Sequence, residues 1–232
     1  MEGSLPHGRP DTCSVTVLTP NSAQKFILDN TALIAPPHVP EIQLHLADEA
    51  HDLWQRTEDE LVEIGLPPPF WAFAWAGGQG LARYVLDNPD KVRSKRVLDF
   101  ASGSGLVGIA AAKAGAVEVI AADIDPFCAT AIRLNGEAND VQIKFLGTDC
   151  IGTDAGWDVI LAGDVFYDKS FADLLMPWFA TLKARGAEIF VGDPGRSYMP
   201  TAGLEPLAVY EVAVTRALED ALVKRTTVWR FA

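Results

Sequence analysis

The first segment whose residues could do chemistry is an apolar run, Arg96 to Phe100, that leads into a glycine loop. Asp99, Gly103 and Gly105 form the pattern D-x-x-x-G-x-G, and residues 106–114 have helical composition. Glycine lets a backbone come close to a ligand, and a helix amino terminus offers N–H groups to an anion. The segment therefore predicts a strand, a tight turn and a helix that bind a pyrophosphate or an amino-acid carboxylate.

Asp99 favours one of these ligands. A carboxylate just before a pyrophosphate loop would face negative charge, whereas S-adenosylmethionine presents an ammonium, a carboxylate and a sulfonium. Asp123, 20 residues after Gly103, could accept hydrogen bonds from both ribose hydroxyls, a role common to NAD and S-adenosylmethionine sites. Asp149 could accept a hydrogen bond from the adenine amine, or it could be a turn residue. These residues predict a nucleoside cofactor, and Asp99 selects S-adenosylmethionine.

A second chemical pair, Asp164 and Tyr167, follows the next predicted strand. If S-adenosylmethionine donates its methyl group to a lysine amine, that amine must first lose its proton, because its reference pKa is about 10.4 and the ammonium has no lone pair. We expect Asp164 to orient the amine and to accept or relay its proton, and Tyr167 to wall the pocket. The alternative is that the segment is a helix N-cap followed by core aromatic residues.

Aromatic residues alternate with small ones in the segment 67–80, which begins with three prolines. Such alternation is often plain core packing. The functional interpretation is a lid in which Trp71 and Trp75 flank the cofactor and Gly78 allows close approach. Both interpretations remain open from the sequence.

Apolar and helical stretches predict the elements that must position these residues. Five β/α repeats followed by two strands indicate an α/β fold, a doubly wound, mostly parallel seven-stranded sheet with an antiparallel C-terminal hairpin. The predicted strands are 96–100, 117–122, 142–146, 157–162, 187–192, 207–214 and 226–231, and the predicted helices are 81–86, 106–114, 127–138 and 170–184. The carboxyl ends of the strands would bring together five acids that attract cationic groups: Asp99, Asp123, Asp149, Asp164 and Asp193.

Residues 1–65 are predicted to form an N-terminal extension that is partly disordered and then helical and that contributes to substrate recognition, before a catalytic domain over 66–232. A short strand is expected at 13–19 and helices at 41–46 and 48–64. The His45 to Asp52 cluster of acids and histidines is interpreted as a solvated helix face, so no metal site is expected.

The composition limits the kinds of molecule that the protein is expected to bind. The 232 residues carry a formal charge of −12, which opposes binding to nucleic acid and favours a lysine-bearing protein partner. Three cysteines without a C-x-x-C pair, no transit-peptide pattern and no bilayer-length apolar run predict a cytoplasmic protein without membrane association. We expect a monomer.

Together these motifs resemble a known group. D-x-x-x-G-x-G and Asp164-x-x-Tyr167 are similar to motifs of the class I, seven-β-strand lysine methyltransferases with a Rossmann-like fold. The segments 39–46, 69–81, 163–168 and 192–196 resemble the electron transfer flavoprotein β-subunit lysine methyltransferases, and the likeness covers roughly residues 36 to 232.

The resemblance implies N-methylation of lysine, up to the trimethyl state, with S-adenosylmethionine as donor and the flavoprotein β subunit as target. It assigns Asp99, Gly103 and Gly105 to the cofactor loop and Asp123 to the ribose. Trp71, Trp75 and Gly78 fall in the cofactor lid, whereas Asp164 and Tyr167 form the lysine motif.

Four alternatives remain. The pattern also resembles ribosomal protein L11 methyltransferases, although their Asn-Pro-Pro-type motif is replaced here by 163–167, so a ribosomal protein substrate stays open. The other three are a methyltransferase that acts on a small molecule or a nucleic acid, an NAD-dependent oxidoreductase and a non-catalytic binding module; the acidic composition and the missing Asn-Pro-Pro-type motif argue against nucleic-acid amines. No tyrosine has the lysine four residues later that short-chain reductases use, and the intact loop and lysine motif argue against a binding module.

Overall fold

The computed structural model describes residues 19–47, 68–200, 202–214 and 221–232. Its strands are β1 Ala32–Ile34, β2 Leu44–Leu46, β3 Arg96–Phe100, β4 Glu118–Ala122, β5 Lys144–Leu146, β6 Val159–Gly163, β7 Glu188–Asp193, β8 Leu204–Ala213 and β9 Val223–Phe231. Its helices are α1 Pro20–Asn30, α2 Ala76–Asp87, α3 Leu106–Lys113, α4 Cys128–Ala138 and α5 Lys169–Ala184, and short 3₁₀ turns cover Phe70–Ala72 and Pro89–Lys91.

Seven of these strands form one sheet in the order β5-β4-β3-β6-β7-β9-β8. The first five pair in parallel, while β9 is antiparallel to both β7 and β8. The predicted fold class is therefore confirmed. β4 and β6 pair with opposite sides of β3, so the strand order reverses at β3. Ligands of open α/β sheets bind at such a switch point.

Apolar runs explain why the central strands form. Val97 and Leu98 of β3 point to opposite faces of the sheet and are both fully buried, as parallel strands covered by helices require. α2 and α3 share one buried cluster with the strands, while α5 packs in a second cluster on the other strand residues. None of the helices in the described ranges is long and apolar enough to cross a bilayer.

Helix α2 begins five residues earlier than the sequence predicts, at Ala76 rather than Leu81, and its first turn contains Gly77 and Gly78. A Cβ on Gly77 would clash with the carbonyl oxygen of Gly192 in β7, and a Cβ on Gly192 would clash with that of Gly77. Gly77 is therefore required by backbone-to-backbone packing of α2 on the sheet, despite the low helix propensity of glycine.

The helix predicted over 41–46 is wrong. Leu44–Leu46 is a strand that pairs antiparallel with β1 and buries Leu44 and Leu46 on one side. Buried Asn135 of α4 and buried Asn139, which follows the last residue of that helix, accept hydrogen bonds from the N–H groups of His45 and Gln43. These side chains supply hydrogen bonds to extended backbone, which local sequence does not reveal. The strand predicted at 13–19, apart from Thr19, and the helix predicted at 48–64 lie outside the described residues.

Candidate active site

The five acids at the strand ends do lie along one edge of the sheet, but they differ in exposure. Asp99 and Asp193 are buried, Asp123 and Asp164 are partly buried, and Asp149 is exposed. The predicted acidic rim is therefore not uniform. The buried members are held by hydrogen bonds to backbone N–H groups, so each has to be considered with its own partners.

The glycine loop joins β3 to α3 as predicted. Gly103 and Gly105 have φ of 50° and 78°, in the left-handed region that favours glycine. Asp99, only 1% exposed, lies behind the loop, and its Oδ2 accepts a 2.7 Å hydrogen bond from the N–H of Gly108 in the first turn of α3. Burial raises the pKa of Asp99 to about 8. The acid is thus beside helix N–H groups, as predicted, in a place that favours its neutral form.

Asp123 braces the same loop from the end of β4. Its Oδ2 accepts a 2.8 Å hydrogen bond from the Gly103 N–H, and its Oδ1 accepts one of 3.0 Å from the Asp125 N–H. A carboxylate oxygen can accept more than one hydrogen bond, so both oxygens retain capacity for ribose hydroxyls. Two bonds to backbone fix the direction of that capacity, which suits a nucleoside seated on the loop.

Asp125 is a residue of this region that the sequence interpretation missed. It is buried, its Oδ1 accepts a 2.8 Å hydrogen bond from the Phe127 N–H, and burial raises its pKa to about 7. The signal was present, because an Asp-Pro pair before a helical run is typical of a helix start. Its role is to hold the turn that carries Asp123.

Asp149 lies farther out on the rim. Its exposed carboxylate accepts a 2.9 Å hydrogen bond from the Ile151 N–H in the turn after β5. That bond is the one expected of a turn aspartate. Contact with an adenine amine remains a prediction.

Asp164 follows β6 with φ of 57°, an uncommon conformation for a residue other than glycine. Its N–H donates to the Gly192 carbonyl at 2.9 Å, and its Oδ2 accepts a 2.9 Å hydrogen bond from the Gly78 N–H of α2. Its Oδ1 accepts hydrogen bonds of 3.0 and 2.6 Å from Nε and Nη2 of Arg196. Burial raises the pKa of Asp164 to about 6, against the opposing effect of Arg196.

Arg196 belongs to a motif that the sequence analysis noted without giving this residue a role. It follows β7, and its own N–H and that of Gly195 donate to Oδ1 of Asp193 at 2.7 and 2.6 Å. Its guanidinium carbon lies 5.7 Å from the ring centre of Trp75. The loop after β7 and the Trp75 ring therefore hold the Arg196 guanidinium beside Asp164.

The predicted lid residues divide between two environments. Trp71 is 1% exposed and stacks on Phe127 at 5.6 Å, so its ring lies in the core. Trp75 is partly exposed, and its Nε1 donates to the Phe70 carbonyl at 3.0 Å. The Phe70 ring lies 6.1 Å from that of Tyr167, which is 53% exposed. Trp75 thus lies beside the arginine that binds Asp164, and Phe70 connects its ring to that of Tyr167.

Gly78 connects the two halves of the site. Its N–H binds Asp164, and the nearest atom to a Cβ placed on it would be Cγ2 of Val107, in α3, at 3.9 Å. The first turns of α2 and α3 therefore meet between the lysine motif and the glycine loop. No group of three or more metal-ligating side chains occurs among the residues that the structure describes.

The glycine loop lies at the switch point of a seven-stranded sheet in which the antiparallel strand β9 lies between β7 and β8. Magnesium protoporphyrin IX methyltransferase from Synechocystis, solved with bound S-adenosylmethionine, has the same fold, with a TM-score of 0.50 and 16% identity over 67% of this chain and 78% of that chain. The family described as ribosomal protein L11 methyltransferase (PrmA) matches residues 81–175. The fold is therefore that of a class I methyltransferase.

Curated relatives specify the family further. The protein named electron transfer flavoprotein beta subunit lysine methyltransferase from Xenopus laevis is 40% identical over 215 residues, which cover 90% of this chain and 86% of its own. Its human namesake is 35% identical over 224 residues, covering 89% of this chain and 80% of its own. The chain belongs to this family of protein-lysine methyltransferases, and the oxidoreductase alternative is thereby set aside.

Proposed function

We propose that the protein transfers methyl groups from S-adenosylmethionine to lysine of the electron transfer flavoprotein β subunit. The observation that carries the proposal is the meeting of the glycine loop and the Asp164–Tyr167 pair across the first turns of α2 and α3. Relatives of that name over about nine-tenths of the chain support the substrate.

The cofactor site is proposed from the cradle that the chain forms. Gly103 and Gly105 keep the loop free of Cβ atoms, Asp123 presents two oriented oxygens for a ribose, and Asp99 lies behind the loop for an ammonium. In this proposal Trp75 and Gly78 border the cofactor, Trp71 supports the site from the core, and Asp149 accepts a hydrogen bond from the adenine amine. When bound, S-adenosylmethionine supplies a methyl group on a sulfonium that is open to in-line displacement.

The lysine site is proposed at Asp164 and Tyr167. Asp164 binds the substrate ammonium and passes its proton on to water, which leaves a neutral nitrogen lone pair for the new N–C bond. The Tyr167 ring and the neighbouring Phe70 wall the lysine side chain and direct its nitrogen along the line of attack. Exclusion of water by these rings keeps the displacement productive.

Charge and location complete the proposal. A formal charge of −12 suits a lysine-bearing protein and opposes nucleic acid. Cys128 and Cys150 are free thiols, as is usual in reducing compartments, and we propose a cytoplasmic monomer that has neither nucleic-acid nor membrane partners.

The test is a methylation reaction with purified components. The protein is incubated with S-adenosylmethionine and purified electron transfer flavoprotein, and the β subunit is measured by intact mass and by peptide sequencing. We expect stepwise addition of methyl groups on lysine, and addition that is about 100-fold slower or more with Asp164→Asn. A β subunit left unmodified, with calorimetry showing that the donor binds, would overturn the substrate assignment.

A ribosomal protein is the second candidate substrate, because the L11 methyltransferase family matches residues 81–175. A protein named ribosomal protein L11 methyltransferase from Psychrobacter is 34% identical over 151 residues, or 58% of this chain. Purified L11 in a parallel reaction decides between the two. Faster methylation of L11 than of the flavoprotein at equal concentration would favour this alternative.

A further inference from the structure

Arg196 places a permanent positive charge on the oxygen that the lysine motif would offer to its substrate. Two guanidinium nitrogens, Nε and Nη2, bind the same Oδ1 of Asp164, while Oδ2 is occupied by the Gly78 N–H. Asp164 and Arg196 side chains are 11% and 20% exposed, so water screens the pair only weakly. The amine of a substrate must therefore approach a carboxylate that already has a cation.

The groups that surround the Asp164 carboxylate come from three elements. The first turn of α2 contributes the Gly78 N–H and the positive end of a helix, and the loop after β7 contributes Arg196. The end of β7 contributes Asp193, whose negative charge opposes ionisation of Asp164. Of these groups only Arg196 carries a full positive charge, and it stays protonated at every pH of interest.

We propose that Arg196 is a positioning residue of the methyl-acceptor site, which holds Asp164 as a carboxylate and disfavours the protonated form of the arriving lysine. This inference rests on the proposed function, because it takes the amine that reaches Asp164 to be the substrate lysine. Methyl transfer needs both conditions, a carboxylate that can take a proton and an amine that has lost one. A fixed cation within contact distance of the shared oxygen promotes both.

The direction of the effect is the same for both groups. Without Arg196 the pKa of buried Asp164 rises, because burial is no longer opposed by a neighbouring cation. The pKa of the bound lysine rises too, because a like charge has been removed. Both changes move the pH at which the enzyme becomes active upward. A merely structural ion pair would instead lower stability and leave that pH unchanged.

The kinetic test compares pH profiles of kcat for wild type, Arg196→Gln and Arg196→Lys with saturating donor and purified flavoprotein. We expect the rising limb to move up by about one pH unit or more in Arg196→Gln and to stay near wild type in Arg196→Lys. Arg133→Gln removes a surface arginine paired with Glu137 on α4 and serves as the matched control. Superimposable limbs for wild type and Arg196→Gln would overturn the proposal.

Two further measurements keep the inference independent of folding and of the substrate. Asp193→Asn keeps the Oδ1 acceptor of the loop but removes the charge that opposes ionisation of Asp164, so its rising limb should move down. Carboxyl-carbon NMR of labelled aspartate, assigned with Asp164→Asn, follows Asp164 without any substrate. A higher titration midpoint in Arg196→Gln shows that Arg196 holds Asp164 as a carboxylate, whether or not the flavoprotein is the target, and the kcat profile then tests the effect on the amine. An unchanged midpoint refutes the proposal.

Discussion

The carboxyl groups of Asp99 and Asp164 occupy matching positions in two halves of the site. Each lies at the carboxyl end of a central strand, β3 or β6, and each accepts a hydrogen bond from the third N–H group of a helix, that of Gly108 in α3 or Gly78 in α2. A Cβ on Gly108 would press on Asp99, as one on Gly77 would press on Asp164. The fold thus uses the same device twice.

The two acids differ in their counter-ion. Arg196 binds Asp164, whereas the influences on Asp99 among the described residues are burial, the Gly108 N–H and the negative charge of Asp123. Burial raises the pKa of Asp99 to about 8 and that of Asp164 to about 6. The proposed lysine site therefore carries its own cation at Asp164, whereas in our proposal the ammonium of S-adenosylmethionine would supply the positive charge beside Asp99.

The largest expected effect separates the two halves by their function. Asp164→Asn keeps an acceptor for the Gly78 N–H but removes the carboxylate, so methylation should fall about 100-fold or more. The affinity for S-adenosylmethionine should change by no more than about threefold, since the loop is untouched. Radiolabel incorporation and calorimetry measure the two quantities. Loss of cofactor binding would mean that Asp164 belongs to the cofactor half.

The next largest effect concerns stability and tests the packing of α2 against β7. Gly77→Ala places a Cβ against the Gly192 carbonyl oxygen and Asp164, so the free energy of unfolding should fall by about 3 kcal/mol. Gly78→Ala is the matched control, because its Cβ has room and Ala favours a helix by about 0.8 kcal/mol. Denaturant unfolding of both variants tests this. Equal stabilities would show that α2 does not pack on β7 through Gly77.

The pKa of Asp99 predicts a pH dependence of stability. Between pH 4 and 8 the folded chain keeps a proton that the unfolded chain releases near its ordinary pKa, so the free energy of unfolding falls as pH rises and levels off above about 8. Asp99→Asn should flatten this fall and weaken cofactor binding about tenfold by removing the charge for the ammonium. Denaturant unfolding between pH 4 and 8 measures the free energy of unfolding of both proteins, and calorimetry measures their affinity for S-adenosylmethionine. An unchanged slope would mean that Asp99 is ionised in the folded chain.

Tyr167→Phe should give the smallest effect. It tests the part of the site that contains Asp164 and Arg196. The Tyr167 side chain is 53% exposed, so the free energy of unfolding should change by less than about 0.5 kcal/mol. Methylation should fall several-fold while cofactor affinity stays the same, because only the steering of the amine is lost. Thermal unfolding and initial rates measure this. A larger loss of cofactor affinity than of turnover would place Tyr167 beside the donor.

The sequence predicted what depends on neighbouring residues. Runs such as Arg96–Phe100 and Val159–Gly163 read as buried strands because parallel strands are apolar on both faces, and the glycine loop is recognisable because its backbone conformation needs glycine. The strand Leu44–Leu46 was missed because distant contacts fix it: it pairs with β1, and the N–H groups of His45 and the preceding Gln43 donate to Asn135 and Asn139, about 90 residues later.

By itself, therefore, the amino-acid sequence determined the order of the strands of the seven-stranded sheet and of the helices between them, the loop at Gly103 and Gly105 and the residue types of the Asp164–Tyr167 pair. Only the tertiary structure decided which partners those residues have. Asp164 meets the Gly78 N–H across 86 residues and Arg196 across 32, while Trp71 enters the core and Trp75 faces the site. Periodicity and turn chemistry are properties of adjacent residues, whereas ionisation and ion pairing depend on which distant segments the sheet brings together.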